Sequence, residues 1–324
     1  MAPASRRVST VIGSAIAFII VVAGFCSVGW MSMRQSDVPM RHAWLEAVDA
    51  VDQVEFLEAA GGTAPYENRY WYQHLDDEGQ RLYAAIYRSL YFQRDDAFIY
   101  GADADEALDT YFDLWYDSPE LFYTADNASA TESTVETRLG TGHLETLVHF
   151  HYLYERDQIP VVAAQLDEEI AGIMAGMDEG WSDERKVSYF HDELIDRADY
   201  SYDSPRVATI QPEFYESSTV AGPLLRGEAI CGGYTQALEL LCRRAGVDCF
   251  TVIGKVDEEE DPETMHAWNA MQVDGEWTNV DVTWDEALAE AGMEFEYLFV
   301  SGDELRESGH HANENDMLPA ECRT

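Results

Sequence analysis

The first pattern along the chain is a long apolar stretch near its start. No charged residue occurs from Val8 to Met33, and this stretch includes an unbroken apolar run from Ala15 to Val22. A segment of this length can cross a hydrocarbon core about 30 Å thick. The arginine pair just before it, Arg6-Arg7, favours a cytoplasmic N-terminus. We therefore expect residues 1–35 to be a cytoplasmic tip and a single transmembrane anchor. A cleaved signal peptide is the alternative, and either one exports the remainder.

Beyond this segment the pattern changes from continuous to periodic. We interpret residues 36–65 as a juxtamembrane stalk that is helical around 42–60 and ends at Gly61-Gly62. Residues 66–178 are predicted to be a small accessory α/β region, which begins with apolar residues at helical spacing at Leu75, Leu82, Ile86 and Leu90. Two strands, 121–125 and 145–154, and a helix near 161–177 should follow.

The second of these strands alternates and places His149 and His151 on the same face. Two histidines could begin a metal site, but the sequence offers no evident third ligand, so a structural role is favoured. No CxxC pair occurs either, and at most one disulfide is expected among Cys242, Cys249 and Cys322. We expect no metal and no cofactor.

Residues 179–324 are predicted to form the catalytic domain. Ser182-Asp183-Glu184 is a good helix start, with a capping serine followed by acidic residues. Further on, Cys231 is followed by Gly232, Gly233 and a helical apolar pattern. This arrangement predicts a thiol at a helix N-terminus, where free N–H groups and the helix dipole favour the thiolate. The glycines would let a substrate carbonyl approach the backbone, although a buried structural cysteine is the alternative for this segment alone.

A hairpin after this helix supplies a histidine and a carboxylate. Residues 249–256 are predicted to be a strand, followed by an acidic loop, and Asp274-Gly275 is a strong turn signal between two further strands. A two-residue turn would pair Val273 with Glu276, and His266 would then face Thr283 if the return strand runs through 276–284. Asp281 would lie diagonally from His266 on the same face, within hydrogen-bonding reach.

Cysteine, histidine and aspartate together are the components of an activated thiol. His266 would accept the proton of Cys231, and Asp281 would hold the imidazole in the required tautomer. Each residue alone has an ordinary structural interpretation. The combination of the three favours a catalytic triad.

Three sequence blocks resemble the bacterial transglutaminase-like superfamily: Cys231-Gly-Gly-Tyr-Thr-Gln-Ala, His266-Ala-Trp-Asn and Val280-Asp-Val-Thr-Trp-Asp. The resemblance covers roughly Ser182 to Cys322; it also includes Phe190–Leu194 with Tyr202-Asp203, Tyr297–Ser301, and His310 or His311. It implies an α+β, papain-like fold in which the nucleophile helix packs on an antiparallel sheet. The triad carries over to Cys231, His266 and Asp281. We expect Tyr234, Gln236, Trp268, Asn269 and Trp284 to support or line the cleft, with packing roles favoured for Tyr234 and Gln236.

The net charge of the chain limits the kinds of partner that the protein can bind. The 324 residues contain 62 acidic and 20 basic side chains, a formal net charge of −42, and the only lysines are Lys186 and Lys255. Nucleic acid is therefore excluded as a partner, because phosphate binding requires clustered basic residues. Calcium binding by the acidic loop 257–263 is conceivable, but a solvated loop is favoured because the spacing is not that of an EF-hand.

The sequence therefore predicts a membrane-tethered, extracytoplasmic thiol enzyme that acts on protein or peptide carbonyls. Crosslinking, deamidation and proteolysis use the same triad and remain open. A catalytically inert binding module at the cell surface is the alternative function.

Overall fold

A computed structural model describes residues 52–136, 142–201, 216–257 and 264–324. The predicted anchor, most of the predicted stalk, the Tyr202-Asp203 pair and nearly all of the acidic loop lie outside these ranges. No helix within them is long and apolar enough to cross a membrane.

The described part of the predicted stalk packs onto the folded region. Residues 52–59 are helical, and the helix ends at Gly61 and Gly62, which adopt φ values of 81° and 101°. Phe56 is fully buried and contacts the rings of Tyr66 and Tyr87. The predicted glycine stop is confirmed, and this helix contributes to the core.

An antiparallel three-stranded sheet organises the region before residue 178. Its strand order is β1-β3-β2. The periodic residues Leu82, Ile86 and Leu90 are buried on α2, and Asp76 caps that helix through the N–H groups of Glu78 and Gly79. The elements are α1 (Tyr70–His74), α2 (Asp77–Tyr91), β1 (Asp96–Tyr100), α3 (Ala104–Asp117), β2 (Thr124–Glu136), β3 (Gly142–Tyr152) and α4 (Ile159–Ala175).

The strand predicted at 121–125 exists, but its predicted bounds are wrong. Leu121 instead ends a 3₁₀ turn, Pro119–Leu121, and β2 begins only at Thr124. The physical reason is local, because proline occupies the first position of the turn and the hydroxyl of Thr124 donates to the carbonyl of Leu121. The next predicted strand is confirmed as β3. On it, His149 forms a side-chain contact with Asp96, its partner on β1.

A five-stranded antiparallel sheet with the order β10-β6-β7-β8-β9 organises the rest of the chain. The helix that begins at Cys231 packs against β6 and β7, which confirms the predicted α+β arrangement. All four cysteines within the described residues are free. The elements are α5 (Asp183–Arg197), β4 (Asp199–Tyr200), β5 (Glu228–Ala229), α6 (Cys231–Arg244), β6 (Cys249–Val256), β7 (Thr264–Val273), β8 (Glu276–Val280), α7 (Val282–Glu290), β9 (Leu298–Val300), α8 (Gly302–Glu307) and β10 (His310–Ala312).

The predicted accessory region and the predicted catalytic domain share one hydrophobic core, which includes Leu114 of α3 and Leu238 of α6. A buried ionic cluster also joins them. Arg69 binds both carboxylate oxygens of Glu120 at 2.7 Å and lies 3.7 Å from the carboxylate of Glu239 on α6. Residues far apart in sequence therefore hold the nucleophile helix in place. The predicted boundary near residue 178 stays a prediction.

Candidate active site

Cys231 is the first residue of α6. The preceding residue, Ile230, has extended backbone angles (φ −107°, ψ −179°) and offers no side-chain acceptor to the helix N-terminus. The first-turn N–H groups are thus not capped by a side chain, and they can stabilise negative charge on a thiolate or an oxyanion. The half-buried thiol lies at the positive end of the helix, as predicted from the sequence.

The two glycines after Cys231 are required for packing. A Cβ built on Gly233 would lie 2.2 Å from the carbonyl oxygen of Ser217, and one on Gly232 would lie 3.1 Å from that of Ser218. Real Cβ atoms essentially never come as close as the distance at Gly233, and the distance at Gly232 is tighter than nine in ten real Cβ contacts. The glycines therefore allow the 3₁₀ turn Glu216–Ser218 to lie against the start of α6. That they also let a substrate carbonyl approach the backbone stays a prediction.

His266 lies on β7, and Asp281 follows β8. The Nε2 atom of His266 is 2.7 Å from Oδ2 of Asp281; the histidine is 7% exposed and the aspartate is fully buried. The register predicted from the turn is confirmed from Val273–Glu276 to Asn269–Val280. Asp274 and Gly275 both have positive φ, as the two-residue turn requires.

The return strand, however, is shorter than predicted. β8 ends at Val280 instead of continuing to Trp284, so His266 does not face Thr283. The cause is the Asp281 side chain, whose Oδ1 accepts the N–H groups of Thr283 (3.0 Å) and Trp284 (3.2 Å) and thereby caps α7. Asp281 meets His266 from a helix cap, not from within a strand.

His266 connects the thiol with the carboxylate. Because its Nε2 is bound to Asp281, the other ring nitrogen, Nδ1, is the one available to Cys231, with which the ring has a hydrogen-bonding interaction. Burial alone would lower the pKa of His266, but the Asp281 carboxylate and Cys231 raise it to about 10. Burial would raise the pKa of Asp281, whereas His266 and then His310 lower it well below its ordinary value. The geometry therefore favours an imidazolium held by an ionised carboxylate.

A second histidine binds the same carboxylate oxygen. The Nε2 atom of His310, on β10, is 3.1 Å from Oδ2 of Asp281, and its Nδ1 is 3.0 Å from the hydroxyl of Ser308. His310 is fully buried. Asp281 thus has four hydrogen-bond partners, two on each oxygen, which holds the carboxylate rigidly. The sequence resemblance pointed to His310 or His311 without a role; His311 is exposed and contacts Asp257 instead.

Two tryptophans surround these imidazoles. Trp268 is fully buried, with its ring centroid 6.2 Å from that of His266 and 5.2 Å from that of His310. Trp284 is half-buried and packs against His310 at 4.4 Å and His266 at 6.1 Å. A Cβ at Gly254 would lie 2.6 Å from the Trp268 ring, so this glycine makes room for the indole. The tryptophans exclude water from the histidine–aspartate cluster.

The other expected supporting residues donate hydrogen bonds to backbone carbonyls. Tyr234 donates to the carbonyl of Ala198 at 2.6 Å, and the amide of Gln236 donates to the carbonyl of Trp115 at 3.4 Å. Asn269 donates to the carbonyl of Thr235 at 3.1 Å, which ties β7 to α6. All three side chains are buried. These contacts agree with the packing roles favoured for Tyr234 and Gln236.

The accessory region contributes one residue that sequence reasoning missed. Tyr116, at the end of α3, lies beside the start of α6: its ring is 3.6 Å from a Cβ built on Gly232. Burial, and then the neighbouring Cys231, raise the pKa of its phenol. Tyr116 is the second-last residue of α3, and no pattern in the sequence distinguishes it from the other tyrosines nearby.

The same cluster contains atoms that could bind metal. His266, Asp281 and His310 each present a ligand atom within 4.8 Å of the other two. Imidazole and carboxylate are ordinary zinc ligands. In this structure, however, the ring nitrogens and the carboxylate oxygen are hydrogen-bonded directly to one another. The arrangement is that of a proton-holding cluster next to a thiol.

Comparisons with known proteins agree with this geometry. The family described as the transglutaminase-like superfamily matches residues 173–282, a range that contains Cys231, His266 and Asp281. The chain is 36% identical over 77 residues to the kyphoscoliosis peptidases of Homo sapiens and Mus musculus, a match that covers 21% of this chain and 12% of each peptidase. A solved structure of a TGase is similar with a TM-score of 0.33 and 15% identity, over 48% of this chain and 44% of that one. The family match identifies a transglutaminase-like domain within residues 173–282 of the chain.

Proposed function

We propose that this protein is a cysteine-dependent enzyme that forms a thioacyl intermediate on Cys231 with a protein or peptide carbonyl group. The observation that best supports this proposal is the chain of hydrogen bonds from Cys231 through His266 to Asp281, with Cys231 at a helix N-terminus that has no side-chain cap. A cysteine, a base and a third group that orients the base are the components of an activated nucleophile.

The chemistry follows from these positions. The proton of Cys231 lies on Nδ1 of the His266 imidazolium, and the thiolate sulfur attacks the carbonyl carbon to form a C–S bond. Backbone N–H groups at the start of α6 stabilise the oxyanion. The C–N bond then breaks, and His266 gives its proton to the leaving amine or ammonia. Water or a second amine attacks the thioester, His266 accepts the proton of that nucleophile, and the C–S bond breaks as Cys231 recovers a proton.

Either water or an amine can attack the thioester, and the product assays below distinguish the two. Peptide bonds are the first substrates to test, because the chain is 36% identical over 77 residues to a kyphoscoliosis peptidase. Glutamine carboxamides are the second, since the same thioester would give deamidation or crosslinking. The apolar stretch in residues 1–35 supports a membrane anchor, with the folded part outside the cytoplasm and its substrates in the cell envelope or beyond.

Alkylation of Cys231 tests the proposal without a known substrate. An ordinary thiol, with a pKa of about 8.5, is almost entirely protonated at about pH 6, whereas a histidine-paired thiol reacts there. We expect rapid iodoacetamide labelling of Cys231 at about pH 6, located by peptide mass spectrometry, and slow labelling in His266→Ala. Equal, slow labelling in both proteins would instead support the alternative, an inert transglutaminase-like binding module.

Product assays then separate the reactions. Peptide cleavage, ammonia release from glutamine peptides, and incorporation of a biotinylated amine into a carrier protein each report a different acceptor for the thioacyl group. Cys231→Ser is the matched control, because it changes one atom at the reacting position. An activity that survives in Cys231→Ser would contradict the thioacyl mechanism.

A further inference from the structure

Three carboxylates meet where α7 contacts β4. Asp199 of β4 and Glu286 and Glu290 of α7 each place an oxygen within 4.8 Å of the other two. The two glutamates are four residues apart and so lie on the same face of α7. Asp199 and Glu290 are exposed, while Glu286 is only 2% exposed. The group therefore has a buried inner ligand and two outer ligands open to solvent.

One oxygen of the buried member of this group has no partner among the described residues. Oε2 of Glu286 is inaccessible to solvent and accepts no hydrogen bond from the part of the chain that the structure describes, although the carboxylate accepts the backbone N–H of Tyr200. Burying an unpaired carboxylate oxygen is costly, and such groups are normally paired or bound to metal.

The nearest basic residue in the sequence does not neutralise the group. Arg197, at the end of α5, pairs with Glu169 at 3.2 Å and with Glu193 at 3.0 Å. It is therefore engaged elsewhere, although it lies only two residues before Asp199. The carboxylate oxygens of Asp199, Glu286 and Glu290, one of them buried, are therefore available to bind a cation.

We propose that Asp199, Glu286 and Glu290 bind a divalent cation, with calcium as the preferred ion. All three ligands are carboxylate oxygens, which hard cations prefer, and no nitrogen or sulfur ligand belongs to the group. Calcium tolerates irregular geometry and accepts water as additional ligands, and the two exposed carboxylates leave room for water. Magnesium demands a near-octahedral site at shorter distances.

The position of the group suggests what the cation stabilises. β4 pairs in parallel with β5, with Asp199 opposite Glu228, and two residues after β5 the chain reaches Cys231. Glu286 and Glu290 belong to the helix that Asp281 caps. A cation at this site would therefore join the segment that leads to the thiol to the helix that begins at the carboxylate.

Calcium titration of the full-length chain in neutral detergent tests the site. Starting from metal-free protein, we expect binding with a Kd of about 10⁻⁴–10⁻³ M by calorimetry. At a tenfold excess of calcium over Kd, the Tm should rise by about 3 °C. Glu286→Gln should abolish this rise. The same variant should have a higher Tm than wild type without calcium, because it removes a buried charge that is repelled by its neighbours.

Glu294→Gln is the matched control. Glu294 is an exposed glutamate four residues beyond Glu290, and its substitution changes the net charge by the same amount. It should retain the full calcium response. An equal calcium response in Glu286→Gln, an equal response of wild type to magnesium, or no response at about 10 mM calcium would each overturn the proposal. No activity is measured, so failure of the proposed function would leave the result unchanged.

Discussion

Asp281 performs two tasks with its two oxygens, and an asparagine substitution separates them. Oδ1 caps α7 through the N–H groups of Thr283 and Trp284, while Oδ2 accepts from His266 at 2.7 Å and from His310 at 3.1 Å. Asparagine caps helices about as well as aspartate. In Asp281→Asn the side-chain oxygen can keep the cap, but an amide NH₂ group then faces both imidazoles, and His266 loses its acceptor.

The size of the effect follows from burial. Removing one partner of a buried ion pair costs about 3–5 kcal/mol, and each 1.4 kcal/mol corresponds to about tenfold in an equilibrium. We expect Asp281→Asn to slow the alkylation of Cys231 at about pH 6 by at least about 100-fold. Asp281→Ala should slow it similarly and should also lower the free energy of unfolding by about a further 1 kcal/mol, because the cap is lost as well.

The assay combines alkylation rates with urea unfolding of the same samples. The rates are measured from about pH 5 to pH 9, and labelling is assigned to Cys231 because three other described cysteines are free and buried. Wild-type alkylation rates in Asp281→Asn across this range would refute the reasoning, since they would show that His266 does not depend on Asp281. Equal stability of the asparagine and alanine variants would refute the capping argument.

Three further outcomes are expected. The Asp281 carboxylate outweighs burial and raises the pKa of His266 to about 10. The stabilisation that this ion pair contributes is therefore complete below about pH 6.5 and is lost as pH rises through about 10. The unfolding free energies of wild type and His266→Ala should accordingly converge as the pH rises through about 10. His310→Ala should slow alkylation about tenfold, because it removes a hydrogen bond to a charged group, and His310→Gln should restore much of the rate. Gly233→Ala should destabilise the protein by about 1–3 kcal/mol or more, since its Cβ would lie 2.2 Å from a carbonyl oxygen, whereas Gly172→Ala, in an open helical position, should stabilise it by about 0.5–1 kcal/mol.

Each of these outcomes has a result that contradicts it. A constant difference in unfolding free energy between wild type and His266→Ala up to about pH 11 would mean that the ion pair does not set the pH dependence. Equal alkylation by wild type and His310→Ala, or no recovery in His310→Gln, would exclude a positioning role for His310. Unchanged stability in Gly233→Ala would show that the Glu216–Ser218 turn can move away from α6.

The accessory region is part of the active-site architecture. Tyr116 lies next to the start of α6, and the carbonyl of Trp115 accepts the amide of Gln236 from the nucleophile helix. The buried Arg69 also links Glu120 to Glu239 of that helix. These contacts connect segments more than 100 residues apart, and they explain why the residues before the matched family domain are folded together with it.

Local patterns determined much of this protein in advance. The turn residues Asp274-Gly275 set the hairpin register, because positive φ at both positions admits a single two-residue turn geometry. The serine cap predicted the start of α5, which Ser182 indeed caps through the N–H of Arg185. The glycine-flanked Cys231 predicted a helix N-terminus. Each of these signals depends only on neighbours within a few residues, so the sequence alone contained it.

Only the tertiary structure decided the rest of the site. β8 ends before Asp281 because the Asp281 carboxylate accepts the backbone N–H groups that begin α7. The alternation of polar and apolar residues in the sequence does not show which groups this carboxylate binds. His310 reaches Asp281 from 29 residues away in sequence, and Tyr116 reaches the Cys231 helix from the accessory region. Such contacts arise when separate elements pack into one core, where burial makes a charged hydrogen bond strong and an unpaired polar atom costly. These long-range energies leave no periodic signal in the sequence.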